Sequence, residues 1–142
     1  ESQPTSQVSG HRVECRFKRV DEAIAMATMY TANHLDVIAV LALTESGATP
    51  LWMSRIRTKM NIYGMSRNIR SLGKMCLYRG VYPVYFDLYK CNRDNLNRMA
   101  VQRIVDSGFI SDGDRVILTK GDLIGVDGHA NAMKVLQVGE VF

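Results

Sequence analysis

The sequence predicts an α/β protein with a three-layer α/β/α sandwich, built on a mostly parallel five-stranded sheet with an antiparallel last strand. Residues 37–43 form a continuous apolar run of strand length, which is typical of a parallel strand covered on both faces. Strand-like and helix-like stretches alternate in the order β-α-β-α-β-α-β-β, which implies helices on both faces of one sheet. A strand that follows another strand directly usually adds an antiparallel edge.

The first elements are predicted from charge and apolar content. Asp21 and Glu22 suit the positive end of a helix dipole, and the helix that they open is expected to run to about Leu35. Its many alanine and methionine residues predict a largely buried helix. After the first strand and a polar turn, a second helix is expected to follow Thr49 and to end near Lys59.

The middle of the chain contains a second strand over residues 61–65 and a third helix that continues through residue 76. Asn68 or Ser66 is suited to cap the start of this helix, and Gly80 is expected to close it in the left-handed conformation. The remaining elements are predicted, in order, as a strand with an edge-favouring proline over 81–86, a helix over 92–107 stopped by Gly108, a turn over 111–114, a strand over 115–119, and a strand over 133–138.

Composition limits the function classes. With 142 residues, 46% of them hydrophobic and 23% charged, the chain can bury a core of its own as one domain. We expect residues 1–10 to be a flexible lead-in or linker and residues 11–142 to be the domain. The net charge of +4 comes from Lys and Arg scattered among acids, without interleaved aromatic residues, which argues against nucleic-acid binding.

Cysteine and hydropathy patterns predict a cytoplasmic protein. The cysteines are odd in number and widely spaced, which fits a reducing compartment better than a disulfide framework: Cys15, Cys76 and Cys91. No apolar run approaches the roughly 20 residues that a bilayer span needs. The three histidines have no partners at metal-ligand spacing, and no catalytic constellation is visible. We therefore expect no membrane contact, no metal site and no catalytic residue.

The turn after the first strand is the best candidate for a binding site. Thr44, Ser46 and Thr49 supply hydroxyls, Gly47 permits a tight turn, and Pro50 suits the first turn of a helix. Backbone N–H groups at a helix start lack intrahelical partners, so this segment can hold a phosphate. Ordinary helix capping without a ligand produces the same pattern. The segment matches neither a Walker A loop nor the dinucleotide-binding pattern.

Five motifs, in order and spacing, resemble the C-terminal domain of pyruvate kinase along nearly the whole chain. They are Ala-Leu-Thr-Glu-Ser-Gly-Ala-Thr at 42–49, Met-Ser-Arg-Asn at 65–68, Leu-Tyr-Arg-Gly-Val-Tyr-Pro-Val at 77–84, Gly-Asp-Arg-Val-Ile-Leu-Thr at 113–119, and Gly-His-Ala-Asn-Ala-Met-Lys-Val at 128–135. From about His11 onward the chain looks like the bacterial isoenzymes that are activated by sugar monophosphates or AMP.

The resemblance implies a regulatory function. In this family of glycolytic enzymes the domain has no catalytic residues and binds the allosteric effector. A separate barrel domain, expected to lie outside these residues, holds Mg²⁺ and K⁺ and transfers phosphate between phosphoenolpyruvate and ADP. The effector phosphate would be bound by Thr44, Glu45, Ser46, Gly47, Ala48 and Thr49. The effector loop that closes over the sugar corresponds to Lys120, Gly121, Asp122, Gly125 and Gly128.

The resemblance also implies that the chain forms an oligomer and that its effector has a single phosphate group. The family is typically a homotetramer in which C-terminal domains meet near the last strand, so we expect a homo-oligomer. Relatives activated by fructose bisphosphate often have a basic residue where Glu45 stands and an arginine at the position of Leu96. A carboxylate beside a bound anion costs about 1 kcal/mol or more near a surface, so a monophosphate is favoured. Ala130 and Ala132, on either side of Asn131, replace hydroxyl residues common in the family.

Two other hypotheses stay open at this point. A free-standing α/β module could use the same turn to bind a sugar phosphate or a nucleoside monophosphate. A small enzyme could use it for a phosphorylated substrate, although the sequence offers no acid or base at an interpretable position. Turnover by the purified chain would support the enzyme, and a longer reading frame upstream would argue against the free-standing module.

Overall fold

The computed structural model of the chain describes residues 20–56, 58–92, 94–120 and 132–140. The predicted lead-in at residues 1–10 and most of the predicted effector loop lie outside these ranges. The elements run in the order α1 (Val20–His34), β1 (Ala39–Leu43), α2 (Ala48–Ser54), β2 (Asn61–Ser66), α3 (Ile69–Met75), β3 (Val81–Tyr85), a 3-10 helix (Leu88–Lys90), α4 (Leu96–Asp106), β4 (Arg115–Lys120) and β5 (Ala132–Gln137).

The strands form one five-stranded sheet in the order β3-β2-β1-β4-β5. The first four strands pair in parallel, and β5 pairs antiparallel with β4, as predicted. Strand β1 lies in the middle and all five of its residues are buried. In register, Leu43 at the end of β1 lies beside Met65 of β2 and Lys120 of β4. The segments that follow these three strands therefore begin at one edge of the sheet.

Each face of the sheet has its own apolar cluster, which confirms the predicted sandwich. On one face, Val40, Ala42 and Ile117 pack with buried residues of α1, α2 and α3. On the other face, Leu41 and Leu43 pack with α4 and the 3-10 helix. Burial of a large apolar side chain contributes about 1.5–3 kcal/mol, so the two clusters hold the strand ends in fixed positions.

Two predicted helix boundaries are wrong. Helix α2 ends at Ser54, not near Lys59, because the N–H groups of Arg55 and Ile56 bond to carbonyls three residues back and tighten the last turn. Helix α4 begins at Leu96, four residues later than predicted. Asn92 and Asn95 accept hydrogen bonds from each other's backbone N–H, and these local bonds compete with helix formation.

Two further expectations needed correction. Helix α1 buries only the face that carries Ala25 and Met29, whereas Tyr30 is 67% exposed, because an outer-layer helix contacts the sheet on one side. Gly80 has the expected positive φ of 72°, but it precedes β3 and does not close α3, which ends at Met75. Of the helices in the described ranges, none has the length and hydropathy that a bilayer span requires.

Candidate functional site

The segment between β1 and α2 is a tight turn that satisfies part of its own backbone. The N–H of Gly47 donates a 2.9 Å hydrogen bond to Thr44 Oγ1, and the N–H of Ala48 donates a 3.1 Å hydrogen bond to Ser46 Oγ. The second bond satisfies the N–H of the first residue of α2, whereas the N-cap residue of α2, Gly47, makes no side-chain capping bond. An anion bound here would have to share or replace the Ser46 hydroxyl at the Ala48 N–H.

Gly47 is favoured by the backbone conformation of the turn. Its φ of 87° lies in the left-handed region, where a side chain is strained. A Cβ at this position would lie 3.4 Å from Met75 Cγ and 3.8 Å from the Tyr78 hydroxyl. The Tyr78 hydroxyl thus lies beside the turn, a position that was not predicted from the sequence.

The three hydroxyl residues of the turn differ in accessibility. Thr44 and Thr49 are fully buried, whereas Ser46 is exposed, and Glu45 and Ala48 are partly buried. Within the described part of the chain, Thr49 Oγ1 has no hydrogen-bond partner. The solvent-facing part of the turn is therefore centred on Ser46.

A second turn, between β2 and α3, is tied to the first. The backbone carbonyl of Glu45 accepts a 2.6 Å hydrogen bond from Ser71 Oγ and a longer one, 3.4 Å, from Ser66 Oγ. Asn68 caps α3 by accepting from the N–H groups of Arg70 and Ser71, as predicted. Both serines are almost fully buried, so the two turns form one connected unit.

A charged pair links the same two turns. Arg67 Nε lies 3.7 Å from Glu45 Oε1, and the Arg67 guanidinium lies 4.0 Å from the centroid of the Tyr89 ring. From the sequence, Glu45 was predicted only as a charge that repels a bound anion, and Arg67 was not predicted to lie beside it. The parallel pairing of β1 with β2 explains this contact, because neighbouring parallel strands bring the segments that follow them to one edge of the sheet.

The remaining candidate residues are distributed as follows. Lys120 is the last residue of β4 and lies beside Leu43 in the sheet register, next to the turn. Leu96 is the first residue of α4 and its side chain is buried in the core, so this position provides no cation to bind a ligand. Ala132 is the first residue of β5. Outside the described residues lie Gly121, Asp122, Gly125, Gly128, Ala130 and Asn131.

Outside the turn, the features to consider are groups of metal ligands and surface cavities. The described ranges contain no group of three or more His, Cys, Asp or Glu side chains placed to hold a metal ion. Two open surface cavities adjoin Asp36 and Val37, one reaching Arg115 and the other Lys59. Both lie near the start of β1, whereas the candidate turn follows the end of β1, so neither cavity belongs to the turn.

Comparison with known proteins finds similarity to one family over most of the chain. The sequence profile of the family described as "Pyruvate kinase, alpha/beta domain" matches residues 22–136. The chain is 43% identical over 136 residues to "Pyruvate kinase II" of Salmonella typhimurium, an alignment that covers 95% of this chain and 28% of that protein.

Two further relatives are both named "Pyruvate kinase". "Pyruvate kinase" of Buchnera aphidicola subsp. Baizongia pistaciae is 40% identical over 139 residues, which is 97% of this chain and 29% of the relative. "Pyruvate kinase" of Haemophilus influenzae is 38% identical over 122 residues, or 85% and 25% of the two chains. In all three comparisons this chain spans less than a third of the relative's length.

Proposed function

The chain belongs to the pyruvate kinase alpha/beta domain family, and we propose that it acts as the C-terminal regulatory domain of a pyruvate kinase, with the turn at residues 44–49 binding the phosphate of an allosteric effector. The observation that supports this most is the position of the turn. It lies at the carboxyl edge of a parallel sheet, where ligands of open α/β sheets bind. The phosphate would contact the hydroxyls and N–H groups of Thr44, Glu45, Ser46, Gly47, Ala48 and Thr49.

The ligand that we propose is a single phosphate ester, either a sugar monophosphate or AMP. Glu45 adds a carboxylate to the turn, and Leu96 is buried in the core where a second phosphate would need a cation. Both features favour one phosphate group over two. Lys120 and the predicted loop residues Gly121, Asp122, Gly125 and Gly128 would contact the rest of the ligand.

The partners that we propose follow from the length of the relatives. Because the chain spans less than a third of them, a barrel domain that holds Mg²⁺ and K⁺ and performs the phosphate transfer of glycolysis would belong to the same protein. Strand β5 ends the described sheet and exposes Val135, which makes it the candidate for contact with a second copy. Effector binding would shift the population of subunit arrangements.

Calorimetric titration of the chain tests the function. AMP, ribose 5-phosphate, glucose 6-phosphate and fructose bisphosphate are each titrated at low salt, and the chain is assayed with phosphoenolpyruvate and ADP. We expect saturable binding of a monophosphate in preference to the bisphosphate, and no turnover. Turnover, or binding of none of the four ligands, would contradict the proposal.

A matched pair of variants locates the site. Ser46→Asp adds a negative charge at the exposed centre of the turn and should abolish binding, while the aspartate still accepts the hydrogen bond from the Ala48 N–H. Gln137→Glu adds the same charge opposite Arg115, at the other end of the sheet, and should leave binding unchanged. Equal losses in both variants would show a general charge effect and would move the site elsewhere.

A further inference from the structure

We propose that the cavity between Asp36 and Arg115 is a binding site for a small zwitterion, a molecule that carries one ammonium and one carboxylate group as a free α-amino acid does. The cavity has a volume of about 370 Å³ and lies where β1 and β4 begin and β5 ends. Its lining includes Asp114 and Gln137. The proposal does not depend on the proposed function, because the turn at residues 44–49 lies at the opposite edge of the sheet.

Backbone hydrogen bonds hold the wall of this cavity in place. The N–H of Ile38 donates to the Arg115 carbonyl over 2.9 Å, and the N–H of Gly113 donates to the Val138 carbonyl over 2.9 Å. The N–H of Val138 donates in turn to the Asp114 carbonyl over 2.8 Å. The three segments around the cavity are therefore tied to one another, so a ligand would bind without first ordering the chain.

The cavity combines charges of both signs, two carboxylates and one guanidinium. Asp114 Oδ2 accepts a 2.8 Å hydrogen bond from the Ser111 N–H, which orients that carboxylate. Asp36 and Arg115 are exposed, and within the described ranges neither of them forms an ion pair. A ligand with two opposite charges can therefore pair with both residues without breaking an existing ion pair.

Arg115 and Gln137 lie on the same face of the sheet. They are directly opposite each other in the antiparallel pair of β4 and β5, and residues paired in this way direct their side chains to one side. Guanidinium and carboxamide N–H groups both donate hydrogen bonds to carboxylate oxygens. This part of the cavity therefore suits the carboxylate of a ligand, whereas Asp36 and Asp114 suit its ammonium group.

The size of the cavity and one apolar residue limit the ligand. Small-molecule sites usually measure about 300–1,000 Å³, and this cavity is at the lower end of that range. Ile38 also lines the cavity, and its side chain is 48% exposed. It can pack against a short hydrocarbon group, so we expect an amino acid of modest size as the ligand.

Charges of both signs also disfavour ions that carry a single charge. A simple carboxylate would meet the two aspartates as well as Arg115, and a simple amine would meet Arg115 as well as the aspartates. Each would gain an attraction and suffer a repulsion, whereas a zwitterion gains two attractions. The ligand is thus recognised by the pairing of its two charges.

NMR titration of the isotope-labelled chain with L-valine tests the site. At about pH 6.5 valinamide keeps only the ammonium group and N-acetylvaline keeps only the carboxylate, so the two analogues are matched controls. We expect saturable shifts of the Ile38 and Gly113 N–H signals with valine, and none at Gly47 or Ala48. Each analogue should bind about fivefold or more weakly than valine.

Variants separate the contributions of the two charges. Arg115→Gln and Asp36→Asn should each weaken valine binding about fivefold or more. Arg115→Gln should bind valinamide at least as tightly as the parent chain does, because the repulsive guanidinium is gone. Arg70→Gln in the first turn of α3 and Asp94→Asn just before α4 remove the same charges at the other edge of the sheet, and should stay within about twofold.

The outcomes distinguish this proposal from the proposed function. The zwitterion site is overturned if valine gives no saturable shifts, if both analogues bind as well as valine, or if Arg115→Gln and Asp36→Asn bind valine like the parent. Ser46→Asp should leave valine binding unchanged while it abolishes binding of the phosphate esters. A loss of valine binding in Ser46→Asp would place valine at the turn and overturn the cavity. The amide spectrum of each variant establishes that it is folded.

Discussion

The side-chain hydroxyl of Ser71 donates a 2.6 Å hydrogen bond to the backbone carbonyl of Glu45, a residue 26 positions earlier in the chain. Ser71 belongs to the first turn of α3, and Glu45 to the turn between β1 and α2. The bond therefore couples the start of one helix to the candidate phosphate site. It also fixes the direction of a peptide group at the centre of that site.

Ser71→Ala should lower the free energy of unfolding by about 1–2 kcal/mol, because it removes a short bond from a buried donor and leaves the Glu45 carbonyl with the longer contact to Ser66. Urea denaturation measures the change. Ser54→Ala is the matched control: its hydroxyl donates to a carbonyl in its own helix, and alanine is a good helix former. Equal destabilisation by the two variants would contradict the coupling.

Gly64→Ala should destabilise the protein by about 1–3 kcal/mol through overpacking. The added Cβ would lie 2.3 Å from Met75 Sδ, so the fully buried Met75 side chain would have to shift within the core. Adding Met75→Ala should recover part of the loss, which a double-mutant cycle in denaturant measures.

Gly73→Ala provides the reference for that experiment. Gly73 lies inside α3, and a Cβ there would meet nothing within 4 Å. The substitution should stabilise the protein by about 0.5–1 kcal/mol, since alanine loses less conformational entropy in a helix. A destabilised Gly73→Ala variant would show that the helix is more constrained than these contacts indicate.

Asn68→Ala should cost about 1 kcal/mol, because the N–H groups of Arg70 and Ser71 lose the side-chain oxygen that caps α3. Asn68→Ser should retain most of the stability, since serine is also a good cap. Both values come from thermal or chemical unfolding. A serine variant as unstable as the alanine variant would indicate a role for the amide beyond capping.

The thiol of Cys91 should react more slowly with iodoacetamide at pH 8 than the exposed Cys76. Burial and the nearby Asp87 carboxylate raise the pKa of the Cys91 thiol above its ordinary value of 9.0, and only the thiolate reacts. Its rate should therefore keep increasing as the pH rises past 9.0, followed residue by residue by mass spectrometry.

Asp87→Asn should shift the Cys91 rate profile to lower pH, because it removes the repulsive charge while asparagine still caps the 3-10 helix. An unchanged profile would leave burial as the sole cause of the raised pKa.

Local signals in the sequence were sufficient for most of the architecture. The apolar run of β1, the glycine at 108 and the cap at Asn68 each act within a few residues, so periodicity and capping chemistry predict them. The motifs from Ala42 to Thr49 and beyond also indicated the family. Where predictions failed, as at the start of α4, reciprocal side-chain bonds between Asn92 and Asn95 outweighed helical periodicity.

The order of elements, the antiparallel last strand and the candidate turn can thus be predicted from the sequence alone. The residues that contact the turn cannot, because Ser71 and Arg67 reach Glu45 only when parallel pairing of β1 with β2 aligns Leu43 with Met65. Contacts between residues more than twenty positions apart depend on strand order and register, and the packing of the two apolar layers sets both. Only the folded chain therefore reveals that the carboxylate of Glu45 already has a cation beside it.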